Sequence, residues 1–150
     1  IGIESKRFEP FRDMKNVRLS EAYWRPVWGD SMKGYERMRD RLRSKEAGFV
    51  HLDATQLVKH AFGLVTEGRR RKRVPVLYYI FAEPATRSGH AIPPDAIKRH
   101  REEIEHFADA VAGDEVAFHF SSYREWLGAW SQLDSDIAAH GEAILRSFGL

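Results

Sequence analysis

The chain has 150 residues, 43% hydrophobic and 31% charged, with a net charge of +2, which suits one domain with an ordinary core and a well-solvated surface. It contains no cysteine; this excludes a disulfide framework, a thiolate nucleophile and a cysteine-ligated zinc or iron–sulfur site, and fits a reducing, cytoplasmic setting. No apolar run approaches the length of a membrane span and no signal peptide opens the chain.

Ile1 to Lys6 (IGIESK) reads as a strand that ends in a carboxylate and an amine two residues apart. Strand residues i and i+2 face the same side, so Glu4 and Lys6 project together. Such a pair suits phosphodiester hydrolysis, the carboxylate holding a divalent cation and the ammonium positioning or activating the attacking water. As an isolated triplet it is equally what a solvated surface carries.

Arg7 to Arg18 mixes charge and aromatics without a period and reads as a loop, with Pro10 breaking any helix. Glu9 and Asp13 lie in it, as loop surface or as extra carboxylates near the strand end. Ser20 opens a helical stretch bearing Tyr23, Trp24, Val27 and Trp28, limited by Pro26. Met32 to Arg43 is a charged helix with Tyr35, Met38 and Leu42 along one side.

From Asp53 the pattern sharpens. Asp53 and Gln56 sit three apart, as in a helix N-terminal capping arrangement. Leu57, Val58, Ala61, Phe62, Leu64 and Val65 then make a helix largely buried against a sheet. Gly68 and the basic run Arg69-Arg70-Arg71-Lys72-Arg73 end it. The run suits a polyanion, since each phosphate contact releases counterions; it is equally a solvated loop.

Val74 to Ala82 (VPVLYYIFA) is a continuous apolar run, expected of a central strand covered on both faces. A Ser-, Gly- and Pro-rich loop leads to Pro94. Asp95 starts an amphipathic helix with Ile97, Ile104, Phe107 and Val111 on its stripe and Lys98–Glu102, Arg99–Glu103 and Arg101–Glu105 as i,i+4 pairs. Val116, Phe118 and Phe120 alternate as a half-buried strand. Ser121 or Ser122 caps a helix with Trp126, Leu127 and Trp130, and a last helix runs from Ser135 to Phe148. This order predicts an α/β fold with helices on both faces of a sheet.

A strand with Glu-x-Lys, a buried helix with a polar face and a buried strand together resemble the PD-(D/E)XK nuclease superfamily. Glu4-Ser5-Lys6 matches the acidic-x-Lys half of its signature. Gln56-Leu-Val-Lys-His60 sits where several branches carry Gln-x-x-x-Tyr, and Val74 to Ala82 matches the following strand. The resemblance covers roughly the first 83 residues, on a sequence-pattern reading. It implies a three-layer restriction-endonuclease-like core with a mixed central sheet, and a metal-dependent nuclease acting on DNA. In that reading Glu4 and the Ser5 carbonyl hold magnesium (or manganese), Lys6 assists the water and Gln56 supports the site. His60 and Arg69, Arg70, Arg71, Lys72 and Arg73 contact the nucleic acid.

The chain departs from the pattern twice. His60 stands in place of the tyrosine. The family's aspartate, on the strand before Glu-x-Lys, is absent. Residues 1–150 are then expected to be the C-terminal part of one domain, lacking its N-terminal helix and first strands and inactive alone. A homodimer stays open. So does a non-catalytic member of the same fold that binds nucleic acid or protein, and so does an unrelated α/β domain in which Gln56 is only a cap and His60 only a satisfied interior histidine. The seven histidines show no zinc spacing, and there is no P-loop, dinucleotide fingerprint or nucleophile elbow. The pairs Trp24/Trp28 and Trp126/Trp130 read as core rather than as base-stacking platforms.

Overall fold

The computed structural model describes residues 1–12, 19–44 and 46–149; Asp13 therefore lies outside the described residues. Among these the chain is mixed α/β. Strands β1 (Gly2–Lys6), β2 (Val76–Phe81) and β5 (Ala117–Ser122) form one sheet in the order β1-β2-β5. Both pairings are parallel, with Glu4 opposite Tyr79 and Tyr79 opposite Phe120. The expected mixed sheet is therefore corrected for these strands: the only antiparallel pairing among the described residues is a separate ribbon of β3 (Thr86–Arg87) and β4 (His90–Ala91). Parallel neighbours need long crossovers, and two helical crossovers fill the chain between the sheet strands.

The five α-helices are α1 (Lys33–Ser44), α2 (Ala54–Arg71), α3 (Pro94–Val111), α4 (Tyr123–Gly128) and α5 (Ser135–Phe148). Alternation along β2 sends Leu77, Tyr79 and Phe81 into the main core with Leu57, Val58, Ala61, Phe62 and Val65 of α2 and Ile104 and Phe107 of α3. On the opposite face, Ala82 joins Leu127, packed by Tyr123, Trp130, Ile144 and Leu145. This second layer covers only the C-terminal end of that face, and Ile3 stays 69% exposed.

Local chemistry fixes the ends. Asp53 Oδ1 accepts the Gln56 N–H at 2.9 Å, and Ser122 and Glu125 make a reciprocal capping box at α4. The α1 N-terminus is capped from a distance: Asp114 accepts the N–H groups of Gly34 (3.1 Å) and Tyr35 (2.9 Å). Position 34 must be glycine, because a Cβ there would lie 2.7 Å from the Ala110 carbonyl of α3.

Three local expectations change. Pro26 reduces the Ser20 stretch to a 3-10 turn over Glu21–Trp24. The helix from Asp53 runs through Gly68 to Arg71 and ends with Lys72 in the left-handed region (φ 53°), so most of the basic run is helical. Arg101 does not meet Glu105; it reaches Glu83 on one side and Glu125 (3.1 Å) on the other. Of the tryptophans, Trp28 stacks on core Phe62 at 4.3 Å, whereas Trp126 is 40% exposed.

Candidate functional site

Strand β1 turns Gly2, Glu4 and Lys6 toward α2, which runs antiparallel to it. Leu64, His60 and Gln56 therefore meet them in turn, one helical turn apart. Lys6 Nζ donates to Gln56 Oε1 at 2.9 Å and lies 2.6 Å from Glu4 Oε1. Glu4 Oε2 is 3.1 Å from His60 Nδ1. A carboxylate only accepts, so Nδ1 is the donor in this contact. The four side chains form one continuous chain: Gln56, Lys6, Glu4, His60.

The cluster is graded in exposure. The Glu4 side chain is 8% exposed, Lys6 14% and His60 40%, so the charge pair sits under a rim open to solvent. Burial alone would raise the Glu4 carboxyl; hydrogen bonds from His60 and Lys6, with the Lys6 charge, outweigh it and hold Glu4 below the usual carboxylate range. Glu9 lies near Lys6, but its carboxylate accepts the N–H groups of Arg7 (2.8 Å) and Phe8 (3.0 Å). It shapes the turn after β1.

Ser5 points to the other face, where Oγ meets the Tyr123 hydroxyl at 2.6 Å. Its carbonyl has a different direction. The Lys6 carbonyl accepts the Ala82 N–H at 2.9 Å, so the alternating Ser5 carbonyl faces the outer edge of β1, which no described strand pairs. One carboxylate and one free carbonyl are oxygen donors that suit magnesium, which keeps waters for its other positions. An ion at Glu4 would compete with Lys6 and His60 for its oxygens. Among the described residues no group of three or more His, Asp or Glu converges on one point.

The basic run is elsewhere. It occupies the far end of α2, about 20 Å from Gln56 at 1.5 Å per residue. Arg69 bonds Glu115 (2.7 Å), and Arg70 and Arg71 pair with Glu67, which these guanidinium groups hold at a pKa of about 2. Lys72 and Arg73 are exposed.

A concavity of about 840 Å³ lies beside the C-terminal end of β1 and the first turn of α2. Its walls include Phe11, Arg12, Phe49, His51, Arg87 and His90. The ribbon β3–β4 makes one wall, turning through Ser88 (φ 50°) and Gly89 (φ 80°). Two positive φ values in a two-residue hairpin loop are the type I′ requirement. The opposite wall is tied down by Glu103, whose buried carboxylate accepts the N–H groups of Val50, His51 and Leu52 at 2.7–2.8 Å. The sequence hid this role, because Glu103 reads as half of a surface pair with Arg99. Behind the cavity His100 is fully buried and bonded to the Tyr79 hydroxyl at 3.0 Å, with its Nδ1 unpartnered.

No protein-family description, curated protein or solved structure matches this chain.

Proposed function

We propose that the protein is a metal-dependent nuclease whose reactive centre is Glu4, Lys6 and Gln56. The observation that carries the reading is the joining of these three side chains, from segments fifty residues apart, by hydrogen bonds of 2.6–2.9 Å. Glu4 and the Ser5 carbonyl would hold magnesium or manganese, the ion displacing Lys6 or His60 from a Glu4 oxygen, and it would supply Lewis-acid stabilisation of phosphoryl charge. Lys6 orients the attacking water and the scissile phosphate. Gln56 gives the ammonium a second acceptor at 2.9 Å beside its 2.6 Å contact with Glu4, which fixes its position. His60 holds the second Glu4 oxygen in place, and its rim position lets it meet the substrate. DNA is the proposed substrate, with Lys72 and Arg73 the members of the basic run left for distant phosphates.

A second reading, a non-catalytic nucleic-acid-binding relative of the same fold, is favoured by one feature: both Glu4 oxygens are already engaged, by Lys6 and His60. The two separate on plasmid and oligonucleotide DNA with magnesium, using the chain expressed with any residues encoded ahead of Ile1, beside Glu4→Ala and Lys6→Ala. Cleavage lost in both variants supports the nuclease. Equal cleavage by all three removes it.

A further inference from the structure

We propose that the cavity between Phe11, Phe49 and the β3–β4 turn is a binding site for one unstacked nucleotide of a single-stranded nucleic acid. Its size is the first reason. At about 840 Å³ it falls in the range of organic-ligand sites and exceeds what a lone phosphate fills. Its chemistry is the second. Arg12 and Arg87 bring two guanidinium groups to the walls, and none of the described lining residues is a carboxylate. The Arg12 side chain is exposed and has no ion-pair partner among the described residues. Arg87 is braced by its bond to the Phe11 carbonyl at 2.5 Å.

The aromatic groups are the third reason. Phe11 and His51 are 5.8 Å apart at a 47° tilt, and Phe49 shares the wall. Flat rings beside guanidinium groups match a base and its phosphate, and every base offers a face to stack. A base within a duplex cannot enter, because its faces are already covered.

Place in the fold is the fourth. Phe11 follows Lys6 by five residues and His51 precedes Gln56 by five. The Phe11 and His51 parts of the lining therefore continue the two segments that meet at the Glu4–Lys6–Gln56 cluster. A strand with one base in the cavity brings a neighbouring phosphate toward Lys6. The inference deepens the nuclease reading, on which it rests for that purpose; the binding itself is separately measurable.

The test is fluorescence anisotropy with labelled oligothymidylate and oligouridylate of about eight nucleotides, a length matching a single-strand site, in EDTA so that nothing is cut. Competitors are a DNA duplex of equal length and inorganic phosphate. The variants are Arg12→Ala, at an exposed side chain, and Phe49→Leu, which keeps apolar volume. We expect each variant to weaken single-strand binding about tenfold, with duplex and phosphate competing poorly. Parental affinity in both variants overturns the inference, as does duplex or phosphate competing as well as the single strand. If cleavage proves independent of Glu4 while Arg12→Ala still loses binding, the nuclease reading fails and this site stands. If cleavage requires Glu4 but both cavity variants bind normally, only this site fails.

Discussion

Gln56 Oε1 accepts the Lys6 ammonium at 2.9 Å while the backbone N–H of the same residue is held by Asp53 at 2.9 Å. In a full capping box the Gln56 side chain would turn back to the helix entrance. Here it leaves the cap half-made and reaches across to β1.

Gln56→Leu should therefore cost little as a helix residue and more as a hydrogen-bond partner. Losing a bond to a charged group costs about 1.5–3 kcal/mol, and the partial exposure of Lys6 places this case at about 1–2. Urea unfolding of the variant checks the stability; on the proposed nuclease reading, single-turnover cleavage should slow at least about tenfold, as expected for a mispositioned catalytic group.

The Glu103 carboxylate takes three backbone N–H groups of residues 50–52. Glu103→Ala leaves those donors without their acceptor and removes the Arg99 ion pair. A loss of about 3–5 kcal/mol is expected in urea unfolding. Glu103→Gln, with one acceptor oxygen, should lose less.

His100 makes the fold acid-sensitive. Burial, with a smaller push from His51 and Arg101, lowers its pKa from 6.5 to about 3. It is neutral when folded, and the unfolded chain binds a proton below pH 6.5. Stability is thus complete above that value and falls as the pH drops toward 3, by up to about 1.4 kcal/mol per pH unit. His100→Gln removes the titration, so its unfolding midpoint should be flatter between pH 6.5 and 4.5. An unchanged slope would mean that other groups set it.

Ser88 occupies a positive-φ position that Asn or Gly fills more readily. Ser88→Asn should stabilise the β3–β4 turn by about 0.5–1 kcal/mol. A raised Tm with the far-UV circular dichroism unchanged is the expected result.

The elements were legible where periodicity was strong. The strand expected over Val74 to Ala82 stands as Val76–Phe81, and the helices after Pro94 and from Ser135 stand where the sequence placed them, because burial of one face dictates both pattern and structure. The Glu4–Lys6–Gln56–His60 cluster was also within reach, since period 2 on the strand and period 3.6 on the helix put the four residues on facing sides. Three-dimensional partners were not. Arg101 prefers Glu83 and Glu125 over its helical neighbour Glu105, and Arg69 is taken by Glu115; nothing local specifies either choice. The β3–β4 ribbon escaped because each strand is only two residues long, too short for any alternation to register.

Glu103 grips residues 50–52, Asp53 begins the helix directly after them, and Gln56 one turn on steadies Lys6. The Lys6 amine thus hangs from the far helix by a short mechanical linkage. Selection or engineering acting on α3 has a handle on how firmly that amine is held.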